Sequence, residues 1–230
     1  HRLLIIFRTC GYTSQSFKEY MQLPTQKTVI LRHDVDRLPN NALKMAILES
    51  DLDIQSSYYF RILPGIFKPE IIKQIAELGH EIGYHYEDLN LTNGDIDKAY
   101  ESFRKNLEAF RKIYPVKTIC MHGSPKSRWD SREIWKKYNY KQLGIIGEPY
   151  FDIDYNEITG ESKYYYKLPK SIKNKIIKKD EDTLMTTPKT YFDALRKKKS
   201  VQMKNSNIYH FKRADIADGD MAWGMPLILP

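Results

Sequence analysis

The stretch TVILRHDVD, residues 28–36, joins an apolar and β-branched run to a cluster of charged side chains. The run predicts a short buried strand. Side chains on an extended segment alternate between two faces, so Asp34 and Asp36 should point the same way while Val35 points into packing. Two carboxylates beside His33 at a strand end indicate a polar site. The alternative is a turn or helix-capping role before the helix that follows.

The alternation of strand and helix continues outward from this stretch. The predicted strands are residues 28–31, 57–61, 81–84, 116–121, 143–146 and 208–211, and the predicted helices begin at Pro39, at Pro69, near Ile96 and near Ser131, with a short one at 191–195. In the first helix, Leu43, Ile47 and Leu48 are expected on the buried side. This order predicts an α/β fold with a largely parallel sheet.

The chain length fits a single domain spanning residues 1–230. Residues 159–189 are the least regular part and are predicted to be an insertion, a hairpin with a helix, or a lid over the site. No apolar run approaches the roughly 20 residues needed to cross a bilayer, so no transmembrane segment is expected. The apolar stretch at 3–7 is expected to be a core segment rather than a signal peptide.

Charge and cysteine content narrow the functional classes. The net charge is +8, with 41% hydrophobic and 29% charged residues, which is typical of a folded protein. Basic residues cluster at 167–179 and 196–199 without a nucleic-acid-binding motif, so no nucleic-acid partner is expected. These clusters indicate solvated helix faces, or attraction to an anionic glycan, a phospholipid or a diphosphate-linked sugar. Two distant cysteines suggest no disulfide framework and favour the cytoplasm, with membrane association as the alternative.

Four of the six histidines fall at or just past the end of a predicted strand: His33, His85, His122 and His210. In α/β folds this edge of the sheet carries the active site, because the loops after parallel strands converge there. Histidines together with aspartates are the usual material of metal and acid–base centres. The sequence therefore predicts a shared polar site. His80 begins its strand instead, and a structural role is expected for it.

Two motifs resemble those of polysaccharide deacetylases, carbohydrate esterase family four: LRHDVD at residues 31–36 and GHEIGYH at residues 79–85. The resemblance extends over about residues 11–155 and returns in NIYHFKR, residues 207–213. It implies a distorted (β/α) barrel and a divalent metal, most often Zn²⁺. It also implies removal of an acetyl group from an N-acetylated amino sugar in a glycan or a glycan precursor. The basic clusters at 167–179 and 196–199 would suit an anionic or lipid-linked form of that substrate.

The resemblance also implies roles for individual residues. Asp34 would be the general base, Asp36 and His85 metal ligands, and His210 the acid that protonates the leaving amine. The family usually has another metal-binding histidine four residues after the one matching His85, whereas this chain has Leu89.

A third metal ligand must therefore come from elsewhere in this chain. His122 is the preferred candidate because it ends its own predicted strand, and Glu87 is the next.

Substrate contacts are expected from His33, Glu87, Arg128 and Trp129. The aromatic residues Tyr84, Tyr86 and Tyr150 could join Trp129 in stacking on sugar rings, or could simply pack in the interior. Two functional alternatives stay open. One is hydrolysis of another C–N bond, in a small amide or a cyclic ureide. The other is a glycan-binding pseudoenzyme. Leucine at position 89, where the family usually has a metal-binding histidine, would suit a protein that has lost catalysis.

Overall fold

The computed structural model describes residues 2–9, 11–123, 127–153 and 227–228. Its strands are β1 Thr13–Ser14, β2 Thr28–Ile30, β3 Arg32–Val35, β4 Ser57–Phe60, β5 Glu81–Tyr86, β6 Ile119–Met121 and β7 Leu227–Ile228. Its α-helices are α1 Arg2–Thr9, α2 Phe17–Gln22, α3 Pro39–Ser50, α4 Pro69–Glu77, α5 Asp88–Leu91, α6 Ile96–Arg111, α7 Ile134–Lys137 and α8 Pro149–Asp152, with 3-10 turns at Ser131–Glu133 and Tyr140–Leu143. Within the described ranges, no helix is long and apolar enough to cross a membrane.

The centre of the fold is a parallel four-stranded sheet in the order β3-β4-β5-β6. A second sheet, in the order β1-β2-β7, pairs β2 in parallel with β1 and antiparallel with β7. The predicted α/β class with a parallel sheet is confirmed. Closure into a full barrel stays a prediction, because residues 159–189 and the predicted strand at 208–211 lie outside the described residues.

One face of the parallel sheet is covered by α3, α4 and α6. Alternate strand residues point into this layer, and they are large and fully buried: Tyr58, Phe60, Ile82, Tyr84 and Tyr86. They pack against apolar residues of α4 and α6, namely Ile71, Ile72, Ile75, Phe103, Leu107 and Phe110. Each of these two helices therefore buries an apolar stripe at helical spacing. Tyr84 and Tyr86 belong to this core, so they pack rather than stack on a ligand.

Helix α3 buries only part of the predicted face: Leu43 is partly buried against the core, whereas Ile47 is 44% exposed. Its fully buried residues include Ala42, Ala46 and Glu49. The reason is polar: Glu49 accepts hydrogen bonds from Tyr58 and pairs with His33, both on the strands beneath it. A buried carboxylate needs such partners, and satisfying Glu49 sets the rotation of the helix.

The strand predicted at residues 143–146 does not form. Residues Tyr140–Leu143 make a 3-10 turn that ends at Gly144, whose φ is 72°. A left-handed residue breaks an extended segment, and glycine adopts it without steric cost. Extended pairing is reduced to a single bridge between Gly147 and Thr118 beside β6.

On the opposite face of the sheet, polar residues lie near the starts of the strands, below the predicted site at their C-terminal ends. Glu81 is fully buried there, accepts hydrogen bonds from Ser57 Oγ (2.6 Å) and from the backbone N–H of Lys18 (2.9 Å), and also contacts Thr118 Oγ1. Burial raises the pKa of Glu81 above its usual value. Above this layer the ring of Tyr59 lies directly over Gly83, where a Cβ would come within 2.3 Å of the ring.

We predict that Gly83→Ala destabilises the fold by about 1–3 kcal/mol, because the added methyl group overlaps Tyr59 and a close-packed interior relaxes only in part. Chemical denaturation measures this change. Gly123→Ala is the matched control, since its Cβ would meet nothing nearer than Met121 Cε at 4.0 Å. Equal stability of the two variants would contradict the predicted overlap.

A second prediction concerns His80, whose Nε2 donates to Ala46 O (2.8 Å) while its Nδ1 accepts from Ser56 N (3.2 Å). Burial lowers the pKa of His80 below its ordinary 6.5, so the folded protein holds it neutral. Its stabilising contribution is complete above pH 6.5 and is lost as the pH falls through the lowered pKa.

His80→Gln keeps an N–H donor and an oxygen acceptor but cannot titrate. We expect the free energy of unfolding of the wild type to fall more than that of His80→Gln between about pH 7 and about pH 5. Denaturant titrations across this range measure both curves. Parallel curves would show that His80 does not contribute to acid sensitivity.

Candidate active site

Asp36, His85 and His122 converge at the C-terminal edge of the parallel sheet. Asp36 directly follows β3, His85 is the second-last residue of β5, and His122 directly follows β6. Asp36 Oδ1 lies 3.1 Å from His122 Nδ1 and 3.6 Å from His85 Nε2, and the two imidazole nitrogens are 3.1 Å apart. Three strands thus bring three candidate ligand atoms into one cluster.

The spacing of these atoms fits a metal ion. Ligand atoms about 2.0–2.1 Å from a tetrahedral zinc ion lie about 3.3 Å from one another, close to the observed separations. Asp36 Oδ1 is buried and makes no hydrogen bond with any described residue. A buried carboxylate oxygen facing two imidazole nitrogens is costly unless a cation or proton joins them. The residues present therefore fit a divalent metal.

The hydrogen bonds of His85 present the correct nitrogen. Its Nδ1 lies 2.9 Å from the backbone carbonyl of Cys120, which can only accept, so Nδ1 carries the hydrogen. The lone pair of Nε2 then faces Asp36 and His122. This is the arrangement in which a backbone group fixes the tautomer of a metal-binding histidine.

The charge states also suit metal binding. Burial disfavours the ionised form of Asp36, but the imidazoles of His122 and His85 outweigh it and hold the pKa of Asp36 below its ordinary 3.8. Burial lowers the pKa of His85 below 6.5. At neutral pH the cluster therefore offers an ionised carboxylate and an imidazole with a free lone pair.

Asp34 lies beside the cluster on the same side of β3 as Asp36. Its Oδ2 accepts a hydrogen bond from Arg32 Nη2 (3.0 Å) and lies 4.0 Å from His85 Nε2. Its Oδ1 is buried and has no hydrogen-bond partner among the described residues. Arg32 lies over the ring of Tyr150, 5.5 Å from its centroid, which helps to hold the guanidinium group and with it the carboxylate.

Cys120 offers a second grouping of donors around the same histidine. Ligand atoms of Asp34, His85 and Cys120 lie within 4.8 Å of one another, and all three residues are buried. Because both groupings use His85, they are alternative sets within one site. Burial raises the pKa of Cys120 well above its ordinary 9.0, so a metal bound by this thiol would first have to displace its proton.

The position that carries the expected family histidine is part of the core. Leu89 is 2% exposed and packs with Ala99 and Ile134. Leucine has no ligand atom, and α5 directs this side chain toward α6 and α7. His122, which follows β6, is the second histidine that the structure brings to the cluster.

The predicted substrate-binding residues occupy different surroundings. His33 points to the opposite face of β3 and is buried against Glu49, with Nε2 to Oε1 at 2.7 Å, so the structure does not bring it to the cluster. Glu87 is paired with Arg61 and lies 4.0 Å from His122 Nε2. Arg128 is exposed, and the half-exposed Trp129 packs on Gly94. His210 lies outside the described residues.

Two residues of the site were not singled out from sequence: Arg32 and Arg61. The position of Arg61 in the sequence could have indicated it. Arg61 directly follows β4, as Asp36 follows β3 and His122 follows β6. Residues just past parallel strands converge, so an arginine at that point belongs with the histidines and aspartates.

No protein-family model matches the sequence, and no curated protein matches it. Among solved structures, the chain is similar to a variant of the peptidoglycan deacetylase PdaC from Bacillus subtilis, with a TM-score of 0.37 and 19% identity, covering 68% of this chain and 71% of that one. A likeness of this size decides neither the fold nor the activity. What the site can do follows from its own residues.

We predict that divalent metal stabilises the wild type but not His122→Ala or His85→Gln. At a free Zn²⁺ concentration about 100-fold above Kd, the wild type should gain about 2.7 kcal/mol. Thermal unfolding with and without Zn²⁺, together with metal analysis, measures this gain. His80→Gln is the matched histidine control and should keep the full gain. An undiminished gain in His122→Ala would place the third ligand elsewhere.

Proposed function

We propose that this protein is a metal-dependent hydrolase that removes N-acetyl groups from an amino-sugar-containing glycan or glycan precursor. The observation that carries the proposal is the convergence of Asp36, His85 and His122 beside the buried carboxylate of Asp34. The motifs at residues 31–36 and 79–85, similar to those of polysaccharide deacetylases, support the choice of an acetamide as the bond cleaved.

Asp36, His85 and His122 would hold the ion, most simply Zn²⁺ given two nitrogens and one carboxylate oxygen. When bound, such an ion polarises a carbonyl group and lowers the pKa of water. The chain's contribution is to keep Asp36 ionised and His85 in the tautomer with a free Nε2. Both depend on contacts already described, the carbonyl of Cys120 among them.

Asp34 is assigned the role of general base. It takes a proton from the water that attacks the acetamide carbon, and the Arg32 pair keeps its carboxylate oriented while one oxygen stays free to accept. The C–N bond then breaks, and the nitrogen leaves as an amine after receiving a proton, a role assigned to His210. The products are acetate and the amino sugar in its ammonium form, which together account for the atoms and the charge of the amide and one water molecule.

Asp34→Asn tests the assignment. We expect turnover to fall about 10²- to 10⁴-fold, because the amide cannot take the proton of the attacking water. Metal content should be unchanged, since Asp34 is outside the ligand set. Release of acetate from a short N-acetylglucosamine oligomer measures turnover.

The control is Asp51→Asn, the same change at an exposed site after α3, which should leave turnover unchanged. Wild-type turnover in Asp34→Asn would remove Asp34 as the base. If the wild type binds metal and cleaves a cyclic ureide but no acetylated sugar, the hydrolase chemistry holds and the substrate assignment is wrong. Failure to bind any divalent metal would instead support a glycan-binding protein without catalysis.

A further inference from the structure

Each of the four parallel strands is followed directly by a polar or charged residue: Asp36 after β3, Arg61 after β4, Glu87 after β5 and His122 after β6. Asp36 and His122 belong to the proposed ligand set. Arg61 and Glu87 have no step in the proposed chemistry, yet their side chains are only 17% and 12% exposed. Charged side chains this well covered are seldom incidental, because covering them costs desolvation energy.

Arg61 and Glu87 form a two-point ion pair. Arg61 Nε donates to Glu87 Oε1 (2.7 Å), and Nη2 donates to Oε2 (2.8 Å). Nη1 of the same guanidinium group donates a longer hydrogen bond, 3.4 Å, to the backbone carbonyl of Asp36. Arg61 therefore connects the loop after β3 with the loop after β5, and both loops adjoin proposed metal ligands.

Glu87 also faces His122. Because His122 Nδ1 lies in the ligand cluster, its lone pair is needed there and the hydrogen must be on Nε2. Glu87 Oε2 is 4.0 Å from that Nε2, an ion-pair distance about 1 Å longer than a hydrogen bond. A carboxylate behind the second nitrogen is the usual partner of a metal-binding histidine.

We propose that Arg61 and Glu87 act together as positioning residues for the metal centre. Glu87 orients His122 through Nε2, and Arg61 holds Glu87 in place and steadies the backbone at Asp36. The inference rests on the proposed metal site and goes beyond it. It also excludes Glu87 as a metal ligand, because ligation would take its oxygens from Arg61 and leave that guanidinium poorly paired in a covered position.

The test is metal affinity and the Co²⁺ absorption spectrum of Glu87→Gln and Arg61→Met, compared with the wild type. Both variants should still bind one ion, with affinity reduced about 10- to 100-fold, the usual effect of removing such a partner. Arg61→Lys should retain part of the metal affinity, since an ammonium group keeps the positive charge but cannot make the two-point hydrogen bond of the guanidinium group. The double variant should be no weaker than the weaker single variant, because the two residues act as a unit.

Glu101→Gln is the matched control, removing the exposed partner of Arg104 on α6. It should leave affinity and spectrum unchanged. Circular dichroism confirms folding, and Glu87→Gln, which keeps the size and shape of the side chain, guards against loss of fold in Arg61→Met.

Three outcomes separate the two proposals. Wild-type affinity in both Glu87→Gln and Arg61→Met, with a normal Co²⁺ spectrum, overturns the positioning role and leaves the proposed hydrolase standing. A Co²⁺ spectrum in Glu87→Gln that shows a changed coordination number identifies Glu87 as a ligand and also overturns it. Absence of metal binding by the wild type overturns both proposals together.

Discussion

In the sheet β3-β4-β5-β6, the parallel pairing and the two-residue alternation of side chains together place Asp34, Asp36, His85 and His122 at one edge. Parallel register aligns the four strand ends at one edge. Alternation then sends Tyr58, Phe60 and Ile82 into the helices and leaves the other side for polar residues. A shift of one residue in β3 would put His33 at the site and Asp34 under α3. Burial of large side chains against α4 and α6 opposes such a shift in the neighbouring strands.

Three acids around the site each have a basic partner, and Asp36 is the acid that faces the two imidazoles. Asp34 is paired with Arg32, Glu87 with Arg61 and Glu49 with His33. Asp36 Oδ1 instead has the nitrogens of two imidazoles as its near neighbours. Pairing the other carboxylates with basic groups offsets their desolvation and limits repulsion near Asp36. The remaining negative charge is then concentrated where a cation would sit.

Beneath the site, Glu81 links three elements. It accepts from Ser57 on β4 and from the backbone at the start of α2, and contacts Thr118 beside β6. A satisfied buried network of this kind rigidifies the strands that carry His85 and His122. Gly83 contributes in another way, because the absence of a side chain lets Tyr59 cover the network. The strands that carry the two histidines are therefore supported by a tightly packed network of buried polar residues.

The amino-acid sequence alone determined the alternation of the main strands and helices between residue 28 and about residue 138, the polar edge of the sheet and the presence of Asp36, His85 and His122 among the candidates. These are local properties, since periodicity and strand-end position are visible in the chain itself. Three features needed the tertiary structure. The buried face of α3 depends on the contact between Glu49 and His33. The left-handed backbone at Gly144 interrupts the segment at 143–146, so its strand pairing is reduced to one bridge. The partnership of Arg61 with Glu87 depends on two strand ends meeting in space, and distances between groups remote in sequence are decided only when the chain has folded.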